Sequence, residues 1–215
     1  MKILLWIIIS LFLLTKSFDI SKILMIYFTR TGNTGLFADY IKEKIDIDIY
    51  KIIPVEPYPE DINEMLELAT KERNNNEKPP IKNPLQNISK YDIILLGYPL
   101  WHKYLPNIVI NQTKNLNFQG KIIFPFNTYC SSGIGNSTID IKNYAKGAIV
   151  KEGFAISDSM IKEKDTSMKK IENWINNDFV YIEESTSDKN EDKPNYDKIL
   201  KINYFLYFIV LYLYL

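Results

Sequence analysis

Ile23-Leu24-Met25-Ile26-Tyr27-Phe28 runs into Thr29-Arg30-Thr31-Gly32-Asn33-Thr34, and then into Leu36-Phe37-Ala38-Asp39-Tyr40-Ile41. The first six residues are apolar on both faces, as a buried parallel strand requires. The last six carry a helical pattern, so the threonine-rich hexapeptide is a tight turn leading into a helix N-terminus. The first amides of a helix have no partners within it, and the helix dipole places partial positive charge where they point. Thr29, Thr31 and Thr34 add hydroxyls, and Gly32 lets the backbone close around a ligand without a Cβ in the way. A monophosphate fits such a turn. No Gly-Lys-[Ser/Thr] follows, which excludes a nucleotide P-loop, and the three-glycine dinucleotide turn is missing too. An ordinary capped turn that happens to be rich in threonine is the plain alternative.

Working outward, strands and helices alternate. A helix is expected over 35–45, and 47–52 alternates like an edge strand that ends in the proline-rich 54–59. The acidic start and basic end of 61–73 suit a helix dipole, and Asn74 to Pro80 reads as surface loop. Strands follow at 93–96 and 121–124, with a helix at 106–114 between them. A helix at 136–144, a strand at 148–156 and a closing helix at 166–177 complete the pattern. Alternation of this kind implies βαβ units and a parallel sheet. Right-handed crossovers then favour an α/β three-layer sandwich, a five-stranded parallel sheet of order 2-1-3-4-5. In that arrangement ligands bind beyond the carboxyl ends of the strands, where the strand order reverses.

Composition narrows the chemistry. The 215 residues balance 26 basic against 26 acidic side chains, so no positive field exists to recruit nucleic acid. Cys130 is the single cysteine, which leaves no disulfide framework and no thiol metal site. With one histidine, His102, a zinc cluster or a Ser-His-Asp triad has little to draw on. The chain divides into a signal-like apolar segment at 1–17, a folded domain at 18–180, a polar spacer at 181–201 and an apolar tail at 202–215. The first segment has a positive start, a short apolar run and small residues near Ser17, the layout of a secretory signal. Small residues at Ser185-Thr186-Ser187, a polar spacer and an apolar tail resemble a lipid-anchor signal; a short tail anchor and an uncleaved apolar tail of no known role are the alternatives. Secretory-pathway entry or membrane association through the tail is the resulting expectation, with a cytoplasmic protein as the other.

Three stretches together resemble one family. Thr29-Arg30-Thr31-Gly32-Asn33-Thr34 is similar to the FMN-phosphate loop of flavodoxins. Gly97-Tyr98-Pro99-Leu100-Trp101 and Phe126-Asn127-Thr128-Tyr129-Cys130-Ser131-Ser132-Gly133-Ile134-Gly135 match the same family in order and spacing. The closest likeness is to the branch carrying Tyr-Phe-Ser-Arg-Thr-Gly-Asn-Thr and Gly-Tyr-Pro-Ile-Trp-Trp, and it extends from about residue 21 to 177.

The resemblance implies a flavodoxin-like fold with FMN as cofactor. Its phosphate would sit on residues 29–34, with Arg30 facing either the phosphate or solvent. Trp101, and less directly Tyr98 and Pro99, would line the isoalloxazine ring. Thr128, Ser131, Ser132 and Gly133 would meet its pyrimidine edge. The function implied is electron transfer between partners, a redox protein or a small acceptor. Alternatives are an NAD(P)H-dependent FMN or quinone reductase, or a flavin-free interaction protein of the same fold. Two departures stand out: flavodoxins are usually markedly acidic, and His102 replaces a second tryptophan. His102 is then a proton donor near the flavin edge or an exposed loop residue. Cys130 is a redox-sensitive thiol or a half-buried packing residue.

Overall fold

The computed structural model describes residues 22–131 and 133–187. The chain divides into two compact units, residues 1–169 and 170–215. The first contains strands β1 (Ile23–Tyr27), β2 (Asp48–Lys51), β3 (Ile93–Pro99), β4 (Ile122–Tyr129), β5 (Ile149–Val150) and β6 (Phe154–Ser157). Between them lie helices α1 (Asn33–Lys42), α2 (Ile62–Asn74), α3 (Asn107–Thr113) and α4 (Ser137–Tyr144), and a 3-10 turn at Met160–Lys162 follows. The last helix, α5 (Lys164–Ser187), begins in this unit, and its continuation from residue 170 is the described part of the second. It runs past residue 180, so the spacer expected at 181–201 starts as helix. The apolar ends at 1–17 and 202–215 lie outside the described residues. Among the described residues no helix is long and apolar enough to cross a membrane.

Every strand pairing is parallel, in the order β2-β1-β3-β4-β5, as the alternation required. One face of the sheet carries Leu24, Ile26, Ile94, Leu96 and Tyr98, packed in one cluster with Met65 of α2, Ile108 and Val109 of α3 and Ile141 of α4. Phe37 of α1 packs on the other, its ring 4.7 Å from that of Phe126. Helices on both faces of a parallel sheet make the three layers of a flavodoxin-like α/β fold.

The strand expected at 148–156 is two strands. Both pair with β4, but Lys151–Gly153 on the edge oppose only Phe124 and Pro125. Lys151 N–H donates to the Ile123 carbonyl and Asp158 N–H to the Tyr129 carbonyl, so the odd-numbered residues of β4 turn their main chain toward this edge. Pro125 is among them and has no N–H to offer. The ladder loses a donor there and the edge strand bulges by one residue. Gly153 suits the bulge, because a Cβ there would meet Ile134 Cδ1 at 2.4 Å and the Pro125 carbonyl at 3.0 Å.

Strands β3 and β4 also run on through residues read as motif loops. Gly97 to Pro99 and Phe126 to Tyr129 are strand, and they pair with each other. The motifs are therefore the carboxyl ends of two adjacent central strands, beside the end of β1.

Candidate functional site

The first motif turns out of β1 at the point where the strand order reverses, with Phe28 N–H donating to the Gly97 carbonyl at 2.9 Å. Gly32 is the residue before α1 and has φ 95°, the left-handed conformation that glycine adopts without strain. Its N–H donates to Thr29 Oγ1 at 3.1 Å. Because that hydroxyl accepts, its own proton remains available to an outside acceptor. No side chain caps α1, so the amides of its first turn are left open. Thr31 and Gly32 are exposed, and a Cβ on Gly32 would find no atom within 4 Å. Free amides, two hydroxyls and open space in front of them are the donor set a phosphate monoester needs.

Other residues of the motifs are spent on holding the motifs together. Thr34 and Thr128 are both buried, and their hydroxyl oxygens lie 2.9 Å apart in a hydrogen bond between the first and third motifs. Gly97 has no room for a side chain, since a Cβ would meet the Phe126 ring at 2.2 Å. The Arg30 guanidinium reaches the segment after β2, its Nη1 donating to the carbonyls of Pro59 (2.9 Å) and Glu60 (3.0 Å). The sequence left that orientation open; here the guanidinium fastens the 58–60 segment to the loop.

The second motif divides in two. Tyr98 is fully buried, its hydroxyl donating to Ser137 Oγ at 2.9 Å, and burial raises the phenol above its ordinary pKa. Its ring presents no face outward. The Asn127 side chain beside it is also wholly buried. Pro99 is half-buried, and Leu100 N–H donates to the Thr128 carbonyl at 2.9 Å.

Trp101 and Tyr104 exchange two main-chain hydrogen bonds, of 3.2 and 2.8 Å, across the exposed His102 and Lys103. Both central residues are left-handed, φ 47° and 71°, the pattern of a type I′ turn built without glycine. Gly135 holds the turn from the third motif: a Cβ there would meet the Lys103 carbonyl at 2.6 Å, while Asn136 N–H donates to that carbonyl at 2.7 Å. Trp101 itself is 7% exposed, edge-on to Phe28 (centroids 5.6 Å) and to Tyr58 (4.8 Å).

In the third motif Ser131 is exposed, and Gly133 has φ 60° with open space where a Cβ would point. Ser132 lies outside the described residues. Cys130 is exposed, not half-buried, because it follows the end of β4 on the way into the loop.

Sequence reasoning passed over Tyr58 and Glu72. The Tyr58 hydroxyl donates to Glu72 Oε2 at 3.1 Å, and burial pushes the Glu72 carboxyl up to about 7. The signal available was an aromatic between two prolines, Pro57-Tyr58-Pro59, read only as the end of a strand. Beyond Trp101 a groove of about 380 Å³ is lined by Trp101, His102, Tyr104, Ala69, Thr70 and Arg73, among others. The Arg73 guanidinium stacks 3.5 Å from the Tyr104 ring centre and pairs with Asp140 at 3.3 Å.

The family model described as Flavodoxin matches residues 22–178. Among solved structures, a candidate flavoprotein from Bacteroides eggerthii is 32% identical (TM-score 0.58), the match covering 66% of this chain and 94% of that one. A candidate flavoprotein from Bacteroides uniformis is 26% identical (TM-score 0.59), over 66% of this chain and 96% of that one. A flavoprotein from Lactobacillus acidophilus, solved in complex with FMN, is 25% identical (TM-score 0.53), over 67% of this chain and 97% of that one. No curated protein sequence matches this chain significantly.

Proposed function

The chain belongs to the flavodoxin family, and from that premise we propose that it binds FMN and passes electrons between redox partners. The observation that carries the reading is the open N-terminus of α1, framed by Thr29 and Thr31 where the strand order reverses. The FMN held by the similar Lactobacillus acidophilus flavoprotein supports it. The phosphate would rest on the amides of α1 and the hydroxyls of Thr29 and Thr31. Trp101 would supply the aromatic wall of the ring, and the exposed backbone around Ser131 and Gly133 would meet its polar edge. Bound FMN supplies the one- and two-electron chemistry. The residues contribute placement and electrostatics. The α1 dipole offsets the phosphate charge, and apolar Trp101 and Phe28 beside a dianion disfavour further negative charge on reduction.

The groove beside Trp101 and His102 favours a second reading, a reductase that hands electrons to a small acceptor. Attachment to a membrane through residues 202–215 belongs to the same proposal; fractionation with and without that segment tests it.

The deciding experiment is an FMN titration of the purified full chain, followed by flavin fluorescence and visible spectrum, with Thr31→Ala and Trp101→Ala beside it. Binding weakened by both changes supports the site. A folded protein that leaves FMN free overturns the reading. Steady NAD(P)H oxidation by the FMN-loaded protein alone would replace the carrier with the reductase.

A further inference from the structure

Residues 57–60 connect β2 to α2, yet they stand between the first and second motifs. Arg30 holds them on one side through the carbonyls of Pro59 and Glu60. On the other side the Tyr58 ring meets Trp101 at 4.8 Å and 67°, and Phe28 at 5.6 Å and 56°. The Tyr58 hydroxyl reaches back to Glu72 on α2. Glu72 is 4% exposed, and a buried carboxylate is costly unless it is well paired. Its surroundings do little to offset that cost. Glu77, in the loop after α2, raises its pKa by like charge. Asn107 on α3 donates to the Glu72 main-chain carbonyl, as does Glu77 N–H, so neither serves the side chain. The adjacent Arg73 is engaged by Asp140 on α4 and by the Tyr104 ring. The structure retains a buried acid whose hydrogen bond goes to an aromatic ring at the candidate site.

We propose that Tyr58 is the second aromatic wall of the flavin pocket, and that Glu72 is the positioning residue that sets this wall through the Tyr58 hydroxyl, giving the pocket a proton-dependent grip on the ring. This rests on the FMN reading. The Tyr58 phenol is held above its ordinary pKa by burial and by Glu72, so it stays a donor across the neutral range. Glu72, raised to about 7, is ionised at pH 8, and the Tyr58 hydrogen bond is then charge-assisted and stronger. At pH 6 the acid carries its own proton, the bond weakens, and the wall loosens.

The test has an arm that needs no flavin. Tryptophan fluorescence of the ligand-free full chain, scanned from about pH 5.5 to 8.5 across the ordinary carboxyl and imidazole range, should show a transition near 7, because Trp101 touches Tyr58. Glu72→Gln and Tyr58→Phe should abolish it. His102→Asn should leave it in place, which separates Glu72 from the one imidazole beside Trp101. In the second arm, FMN should bind the wild type several-fold more tightly at pH 8 than at pH 6, in line with a charge-assisted hydrogen bond being roughly twice as strong as a neutral one. Glu72→Gln should flatten that dependence. Tyr58→Leu should weaken binding about tenfold, the worth of an aromatic contact.

A transition that survives in Glu72→Gln, or that vanishes in His102→Asn, overturns the role of Glu72. Wild-type affinity in Tyr58→Leu overturns the wall while leaving FMN binding intact. Failure of the wild type to bind FMN overturns the FMN reading and the wall with it, whatever the first arm gives.

Discussion

Helices α1 and α2 both start at the carboxyl end of the sheet, and they treat their first turns in opposite ways. At α2, Asp61 Oδ1 accepts from Asn63 N–H at 2.8 Å and Glu64 N–H at 3.0 Å, with its own backbone extended (φ −62°, ψ 134°). The helix satisfies its own amides. At α1 the corresponding residue is a left-handed glycine with no side chain, and no acid lies in the first turn. A cap contributes about 1 kcal/mol, so α1 forgoes stability that α2 takes. What α1 keeps is a set of amides that an external anion can complete, and the threonines around it are of the type that adds donors.

Thr31→Asp is the largest way to break that contrast, since it brings a carboxylate to the open amides. FMN affinity should fall by about a hundredfold or more, because two anions would compete for one position. Thermal stability should hold or rise, and the pair of measurements checks it: lower stability with unchanged affinity would mean that α1 is already satisfied. Thr34→Val comes next. It strips the buried Thr128 hydroxyl of its partner and should cost about 1–3 kcal/mol in a denaturant titration, with the first and third motifs loosened together. Asp61→Ala should cost about 1 kcal/mol of stability and leave FMN affinity within about twofold, since α2 keeps its cap for itself. Weaker FMN binding in this variant would show that the 58–60 segment carries more of the site than the contrast allows.

The layers and strand order were legible because the strands are apolar runs separated by helical periodicity, and a right-handed crossover leaves few arrangements. The positions of the three motifs were legible for the same reason: each lies at the carboxyl end of a strand. Residue roles inside the motifs were less so. Thr31 and Thr34 are the same residue type three positions apart, yet one is exposed at the helix start and the other is buried against Thr128. Tyr98 and Trp101 are aromatics of one motif, but the pleat sends Tyr98 into the core against Ser137 while Trp101 lies beyond the strand end. Pro125 carried a readable warning of a broken ladder, although the bulge falls on the neighbouring strand.

The sequence alone determined the α/β architecture and the glycine-led start of α1, because both rest on local periodicity and on one glycine placed among threonines. The tertiary structure decided which polar groups remain free. Thr34 is committed to Thr128, Arg30 to the carbonyls of Pro59 and Glu60, and Tyr58 to Glu72, pairs separated by 94, 29, 30 and 14 residues. No local pattern encodes such partners, since a hydrogen bond depends on where two chain segments meet in space.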